Sequence, residues 1–301
     1  MKKSILPVLL IIVLFFLLLF PSLSFEGAKT GLLLWFNIVF PTLFPFMLCS
    51  GLLVAHGGAA LLIRPFAPLL KRFHLSKNGG YTWLCGLLCG YPMGAKTTAD
   101  FIKNDELSPM EGRRLLAMSG CPSPMFLTGY IRNYIPGDVP LLYMVAALYL
   151  PILCIAGVSS YLYKMPADTG SHHLSGDAVR TPDSFDEILM NSLEIMVKIG
   201  GYIMIFSILG VFINHFFPDC FSLKPILLGF IEMTTGIQSI SQSMSGRSAA
   251  AVMMASAAFG GLSGVFQTNT VIKNAGLSIR HYVFWKLFHA ALTGIIIIIL
   301  L

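Results

Sequence analysis

The chain alternates long uncharged apolar runs with short stretches dense in Gly, Pro, Thr and Lys, and the two patterns predict different elements. Runs at 4–20, 31–55, 139–163, 193–216 and 281–301 have the length of membrane-crossing helices, at about 1.5 Å of rise per residue. The run 4–20 follows Met1-Lys2-Lys3 and is read as an uncleaved anchor, 1–30, with a cleavable signal peptide as the alternative. Pro41 and Pro45 are expected to break the second span. Residues 109–131 are read as a further crossing, interrupted at Gly-Cys-Pro-Ser-Pro, 120–124.

The stretch GLLCGYPMGAKTTADFIKN, residues 86–104, begins like a helix and then turns polar, and its apolar part is too short to cross. It predicts a re-entrant hairpin over about 79–104. GGLSGVFQTNTVIKNAGLS, residues 260–278, echoes it at a spacing of 170 positions, setting Gly90 on Gly260, Gly94 on Gly264 and Thr98 on Thr268. That echo predicts a second hairpin over about 248–276. Residues 164–190 are polar and form a linker, and basic residues between 64 and 77 mark an interfacial helix on the cytoplasmic side. Residues 223–243 are read as an interfacial helix on the opposite side, with an ordinary span as the alternative. The chain then divides into a first repeat, 31–163, the linker, 164–190, and a second repeat, 191–301. The predicted fold is an all-α membrane protein, an inverted-repeat, transporter-like bundle with two re-entrant helical hairpins.

Composition agrees with a membrane class. Of 301 residues 55% are apolar and 11% charged, against roughly 25% charged in soluble domains. The net charge of +6 lies between apolar runs, where membrane orientation accounts for it, so nucleic-acid binding is rejected. No H-E-x-x-H, G-x-S-x-G or phosphate-binding loop is present, and no enzyme activity or cofactor is expected. The six cysteines form no C-x-x-C pair, and His172-His173 lies in the polar linker, so no metal site is expected.

Broken helices expose N–H groups and a partial positive charge, which suits a small polar or anionic ligand. The candidate binding residues are Lys96, Thr97 and Thr98 in the first hairpin and Gln267, Thr268 and Asn269 in the second, with Gly90, Pro92, Gly94, Gly260 and Gly264 making the breaks. Lys96 is four residues from Asp100 and Glu194 four from Lys198, so each can pair along a helix. Lys96 is nonetheless read as functional because it adjoins the Gly turn, and Lys96→Ala is expected to abolish uptake. Lys103 and Lys273 are read as interfacial anchors, and Lys286 with His289 as a capped or interfacial pair, with a proton-linked role as the alternative.

These residues carry a resemblance. GYPMGAKTTADF with SPMFLTG downstream, LWFNIVFPTLFPF upstream and IGGYIMIFSILGVF in the second half are similar to the sporulation integral membrane protein YlbJ (SpoVV) family, which carries the nucleoside-recognition Gate domain. The resemblance spans residues 31 to about 290. It implies a fold similar to concentrative nucleoside transporters with two re-entrant hairpins, a role in endospore formation, and passage of dipicolinic acid across the outer forespore membrane; a coupling ion, proton or sodium, is left open. Nucleoside or nucleobase transport and a non-transporting assembly role are the alternatives, and homo-oligomerisation is left open.

Overall fold

The structure, a computed structural model, describes residues 2–56, 58, 61, 63–163, 184–217 and 223–301. His172-His173, Cys220 and most of the polar linker lie outside them. The described residues form helices and no strands. Among the described residues, five segments are long and apolar enough to cross a membrane: Pro21–Leu53, Leu141–Leu162, Phe185–Phe216, Gly246–Ile272 and Ile279–Leu300.

Helix α1 (Lys2–Leu19) ends before Pro21, which starts α2 (Pro21–Leu34) at a position where a missing N–H costs nothing. The boundary expected between 30 and 31 therefore falls inside α2. The chain continues through a wide turn at Trp35–Val39 into α3 (Phe40–Ala55). The break expected at Pro41 and Pro45 is instead this turn, just upstream of the first proline. Proline has no N–H to give and its ring crowds the carbonyl four residues back, so the helix widens to an i→i+5 bond, Phe40 N–H to Trp35 O. Gly27 and Gly31, a G-x-x-x-G pair, put α2 backbone against Ile208 and Met204 of α10 (Phe185–Phe216). The Trp35 indole donates to Met196 O of the same helix at 2.9 Å.

Helix α10 starts eight residues before the predicted span. Ser184 and Glu187 form a reciprocal capping box, which draws the end of the expected linker into the helix. Ser184→Ala is expected to cost about 1 kcal/mol locally, read as faster amide exchange at residues 185–188 with the rest of α10 unchanged.

Between the long helices lie shorter, interrupted ones. After α4 (Ala67–Arg72) come α5 (Lys77–Cys89) and α6 (Met93–Lys103), packed against each other around Gly90-Tyr91-Pro92. Next are α7 (Pro109–Met118) and α8 (Pro124–Gly129), separated by the non-helical residues 119–123. Ser-Pro starts both, the serine hydroxyl accepting an N–H and proline occupying the first turn. At ten and six residues, neither is long enough to make the outward crossing expected over 109–131. The long α9 (Leu141–Leu162) follows.

In the second half α10 is followed by α11 (Lys224–Ile231) and α12 (Met233–Ser243), packed against each other around Glu232. Then come α13 (Gly246–Phe259) and α14 (Gly261–Ile272), meeting at Gly260, and α15 (Ile279–Leu300). Here the structure differs from the sequence expectation. The side-by-side helix pair of this half is α11 with α12, in the stretch read as an interfacial helix. Residues 246–272 form one kinked element whose two parts do not fold back on each other. The physical reason is α12 itself: Ile237 and Ile240 are fully buried, joining the core around Met144, Leu148 and Met254 instead of a membrane surface. Alanines of α13 let it pack closely along α15.

Both halves thus run long helix, helix pair, broken helix, long helix. The sequence echo that follows this order is Ser123 with Ser263 and Phe126 with Phe266, spaced by 140 residues. The echo at 170 aligned the helix pair of one half with the kinked element of the other, because glycine and Ile-Lys-Asn suit any helix interruption.

Candidate functional site

Four backbone interruptions meet at one cavity: Gly90-Tyr91 between α5 and α6, Pro122-Ser123 between α7 and α8, Glu232-Met233-Thr234 between α11 and α12, and Gly260 between α13 and α14. The wall is completed by Thr42 and Leu43 of α3, just past the wide turn, by Ile199 and Ile203 of α10, and by Ser263 and Gln267 of α14. The cavity is about 50 Å³, space for about four water molecules.

Interrupted helices leave carbonyls that must find partners at membrane depth. In the 119–123 segment three consecutive carbonyls do so with three different elements. Gly120 O accepts from Lys286 Nζ at 2.6 Å, Cys121 O from the Tyr91 N–H at 3.1 Å and Pro122 O from the Tyr149 hydroxyl at 3.0 Å. Lys286 is 2% exposed, so the amino group of a lysine on α15 is held inside the protein. Its Nζ lies 4.9 Å from the Tyr91 ring centroid and 6.0 Å from that of Tyr282, within cation–π reach.

Tyr91 is the hub of the site. Its ring lies against Gly260 and Gly264, where an added Cβ at Gly260 would stand 3.0 Å from the ring and one at Gly264 3.5 Å. Gly260 has φ +84°, a left-handed conformation that non-glycine residues resist, so both shape and backbone require glycine there. The Tyr91 hydroxyl donates to Met233 Sδ, and the ring separates the cavity from Lys286.

Glu232 supplies the opposite charge. It is 3% exposed and caps α12. Its Oε2 accepts from the Thr234 hydroxyl, from the Thr235 N–H at 2.8 Å and from the Thr235 hydroxyl at 2.7 Å. No cation pairs with it among the described residues.

Of the residues predicted from sequence, Gly90, Gly260 and Gln267 line the cavity, and Gly264 supports the Tyr91 ring. Gln267 donates to Ser263 Oγ at 3.1 Å. Pro92 is buried at the start of α6, and Gly94 packs that helix onto Ser119, where a Cβ would stand 2.6 Å from the serine. Thr98 is buried, with its hydroxyl bonded back to Gly94 O at 2.7 Å, and Thr268 is fully buried. Lys96, Thr97 and Asn269 do not line the cavity. Lys96 pairs with Asp100 at 2.5 Å in partly exposed surroundings, and Asn269 is exposed. Glu194 and Lys198 form the other expected helical pair, on an exposed face. Lys286 and His289 are buried, not interfacial, the histidine ring Nε2 lying 2.8 Å from Leu148 O.

Sequence reasoning passed over Tyr91, Ser123, Glu232 and Ser263 as site residues. The serines were findable, since each opens the Ser-x-x-Phe echo between the two broken helices. No group of three or more His, Cys, Asp or Glu suited to a metal ion occurs among the described residues.

No family model matches the chain, and no solved structure matches it. Over 114 residues the chain is 35% identical to the Sporulation integral membrane protein YlbJ of Bacillus subtilis (strain 168). That match covers 37% of this chain and 28% of the relative, so the matching part spans just over a quarter of the relative's length. Five apolar helices and an integral membrane relative together make this chain a multi-pass membrane protein, homologous in part to a protein of sporulation.

Proposed function

We propose that the protein is a secondary transporter that carries a small anionic solute, dipicolinic acid first among candidates, across the outer forespore membrane of a spore-forming bacterium. The observation that carries this reading is the convergence of four helix interruptions on one cavity with a buried lysine behind its wall. Interrupted helices facing each other inside a bundle are how membrane transporters build solute sites, and intramembrane charges mark solute and ion paths. In this reading the two helix pairs are re-entrant and the two halves are inverted with respect to the membrane.

Dipicolinate is an aromatic dianion, and Lys286 is the buried cation beside the cavity. Lys286 therefore takes the charge-binding role first given to Lys96, with Ser123, Ser263 and Gln267 supplying neutral hydrogen bonds. A cavity of about 50 Å³ is filled by a few waters and is too small for a substituted ring. Solute entry then requires the Tyr91 tip and the α11–α12 tip to separate, which would also uncover Lys286. Alternation between such closed and open forms is the motion a carrier needs.

The test is uptake of labelled dipicolinate into proteoliposomes holding the full chain, with uridine and adenosine as competitors. Saturable uptake indifferent to nucleosides is the expected result. Block by nucleosides would shift the substrate to that class, which the neutral donors and acceptors of Ser263 and Gln267 also suit. Absence of uptake under every ion gradient would leave an assembly role in the sporulation membrane.

A further inference from the structure

We infer that Glu232 is the coupling site of this transporter and that the ion it takes up is a proton, an inference that rests on the transport reading above. A carboxylate that is 3% exposed, lines the cavity and has no cation partner among the described residues would share its space with an entering anion. Like charges in a site of low dielectric oppose each other, and the usual resolution is that one of them binds a proton. Loading the anion and protonating Glu232 therefore favour each other.

Geometry decides between a proton and a metal ion. Oε2 already accepts three hydrogens, from the hydroxyls of Thr234 and Thr235 and the Thr235 N–H. Those hydroxyls turn their hydrogens toward the carboxylate, and Oε1 takes no hydrogen bond among the described residues. A proton needs one free oxygen, whereas an alkali or alkaline-earth ion needs several oxygen ligands converging on it. The site offers the former.

Among the described residues Glu232 is the one carboxylate that lines the cavity. From the α5–α6 tip it is faced by Tyr91, whose hydroxyl is spent on Met233 Sδ, and by Cys89 on the cavity wall. From the segment after α8, the Tyr130 hydroxyl donates to Thr234 O at 2.9 Å, with the Tyr134 ring tilted beside it. Beyond the Tyr91 ring stand Lys286, Tyr282 and Cys121. The walls from α3, α10 and α14 present Thr42, Leu43, Ile199, Ile203, Ser263 and Gln267, none of them titratable. In each cycle the Glu232 carboxylate gains one proton from the aqueous phase on the side where the cavity opens, and releases it on the other side with the solute.

The experiment uses the full chain in proteoliposomes with an entrapped pH-sensitive dye and external dipicolinate, followed in parallel by dipicolinate counterflow at equal pH. Wild-type protein is expected to acidify the lumen as solute enters, and an inward proton gradient is expected to speed uptake at least tenfold. In Glu232→Gln, which keeps the shape and an acceptor oxygen, counterflow is expected to persist while the gradient response and acidification disappear. A Gln variant that still acidifies the lumen like wild type would overturn the inference and leave the transport reading intact. So would wild-type uptake driven by a sodium gradient and indifferent to pH, whatever the variant does. Wild-type protein that shows neither uptake nor counterflow would overturn the transport reading, and this inference with it.

Discussion

Lys286→Met is expected to lower dipicolinate uptake by roughly 10- to 100-fold, the equivalent of one or two charge-assisted hydrogen bonds at about 1.5–3 kcal/mol each. Methionine matches the length of the lysine stem and removes the charge that a dianion would seek. The variant leaves the Gly120 carbonyl without its 2.6 Å donor, a loss offset by no longer burying an ammonium. The amount of folded protein in the membrane is therefore expected to stay within about twofold. Lys96→Ala is the comparison. It breaks an ion pair whose side chains are 26% and 45% exposed, a pair of the kind worth about 0–1 kcal/mol, and it touches no atom lining the cavity. Uptake by Lys96→Ala is expected to equal wild type. Equal loss in both variants, or in neither, would take the charge-binding role away from Lys286.

Gly236→Ala is expected to destabilise the protein more than any other single methyl addition considered, by about 3 kcal/mol or more. A Cβ at Gly236 would overlap the Gly229 Cα and N, which are backbone atoms of the facing helix and cannot rotate aside. Helices α11 and α12 would have to move apart, and Glu232 sits at the tip that joins them. Thermal unfolding in detergent, followed by monodisperse recovery, measures the effect. Gly201→Ala on α10, where an added Cβ meets nothing within 4 Å, is the control and is expected to be neutral or slightly stabilising through helix propensity. A Gly236→Ala protein as stable as that control would mean that the two helices do not pack at this spacing.

How much of this was legible in the chain varies by level. The long helices were read from apolar run length, because a backbone in hydrocarbon has to satisfy its own hydrogen bonds and helix is the local way to do so. Their starts were less accurate wherever a cap moved them, as Ser184 does for α10. Breaks at Gly90 and Gly260 were visible because glycine and proline interrupt helices for local reasons. The second helix pair was not visible. Residues 223–243 carry Glu232, Gln238 and Gln242 among apolar residues, a composition shared by a membrane-surface helix and by a helix facing a wet cavity. Ile237 and Ile240 distinguish the two only once their neighbours are known.

The candidate charges show the same limit. Lys96 was favoured because it adjoins a break, yet its helix turns it toward Asp100 and the exterior. The sequence leaves Lys286 and His289 as a capped or interfacial pair, and because α15 is apolar on nearly every face it holds no periodic stripe to say which side is inward. What the sequence by itself determined is that the chain lives in a membrane, where most of its helices run and where some of them must be interrupted, since those follow from local hydrogen bonding and apolar length. Which interruptions face one another, which way each helix is rotated, and therefore that Glu232, Tyr91 and Lys286 share one site, was decided only by tertiary packing. Those relations come from contacts between segments as far apart as Gly120 and Lys286, and no local property of either segment encodes them.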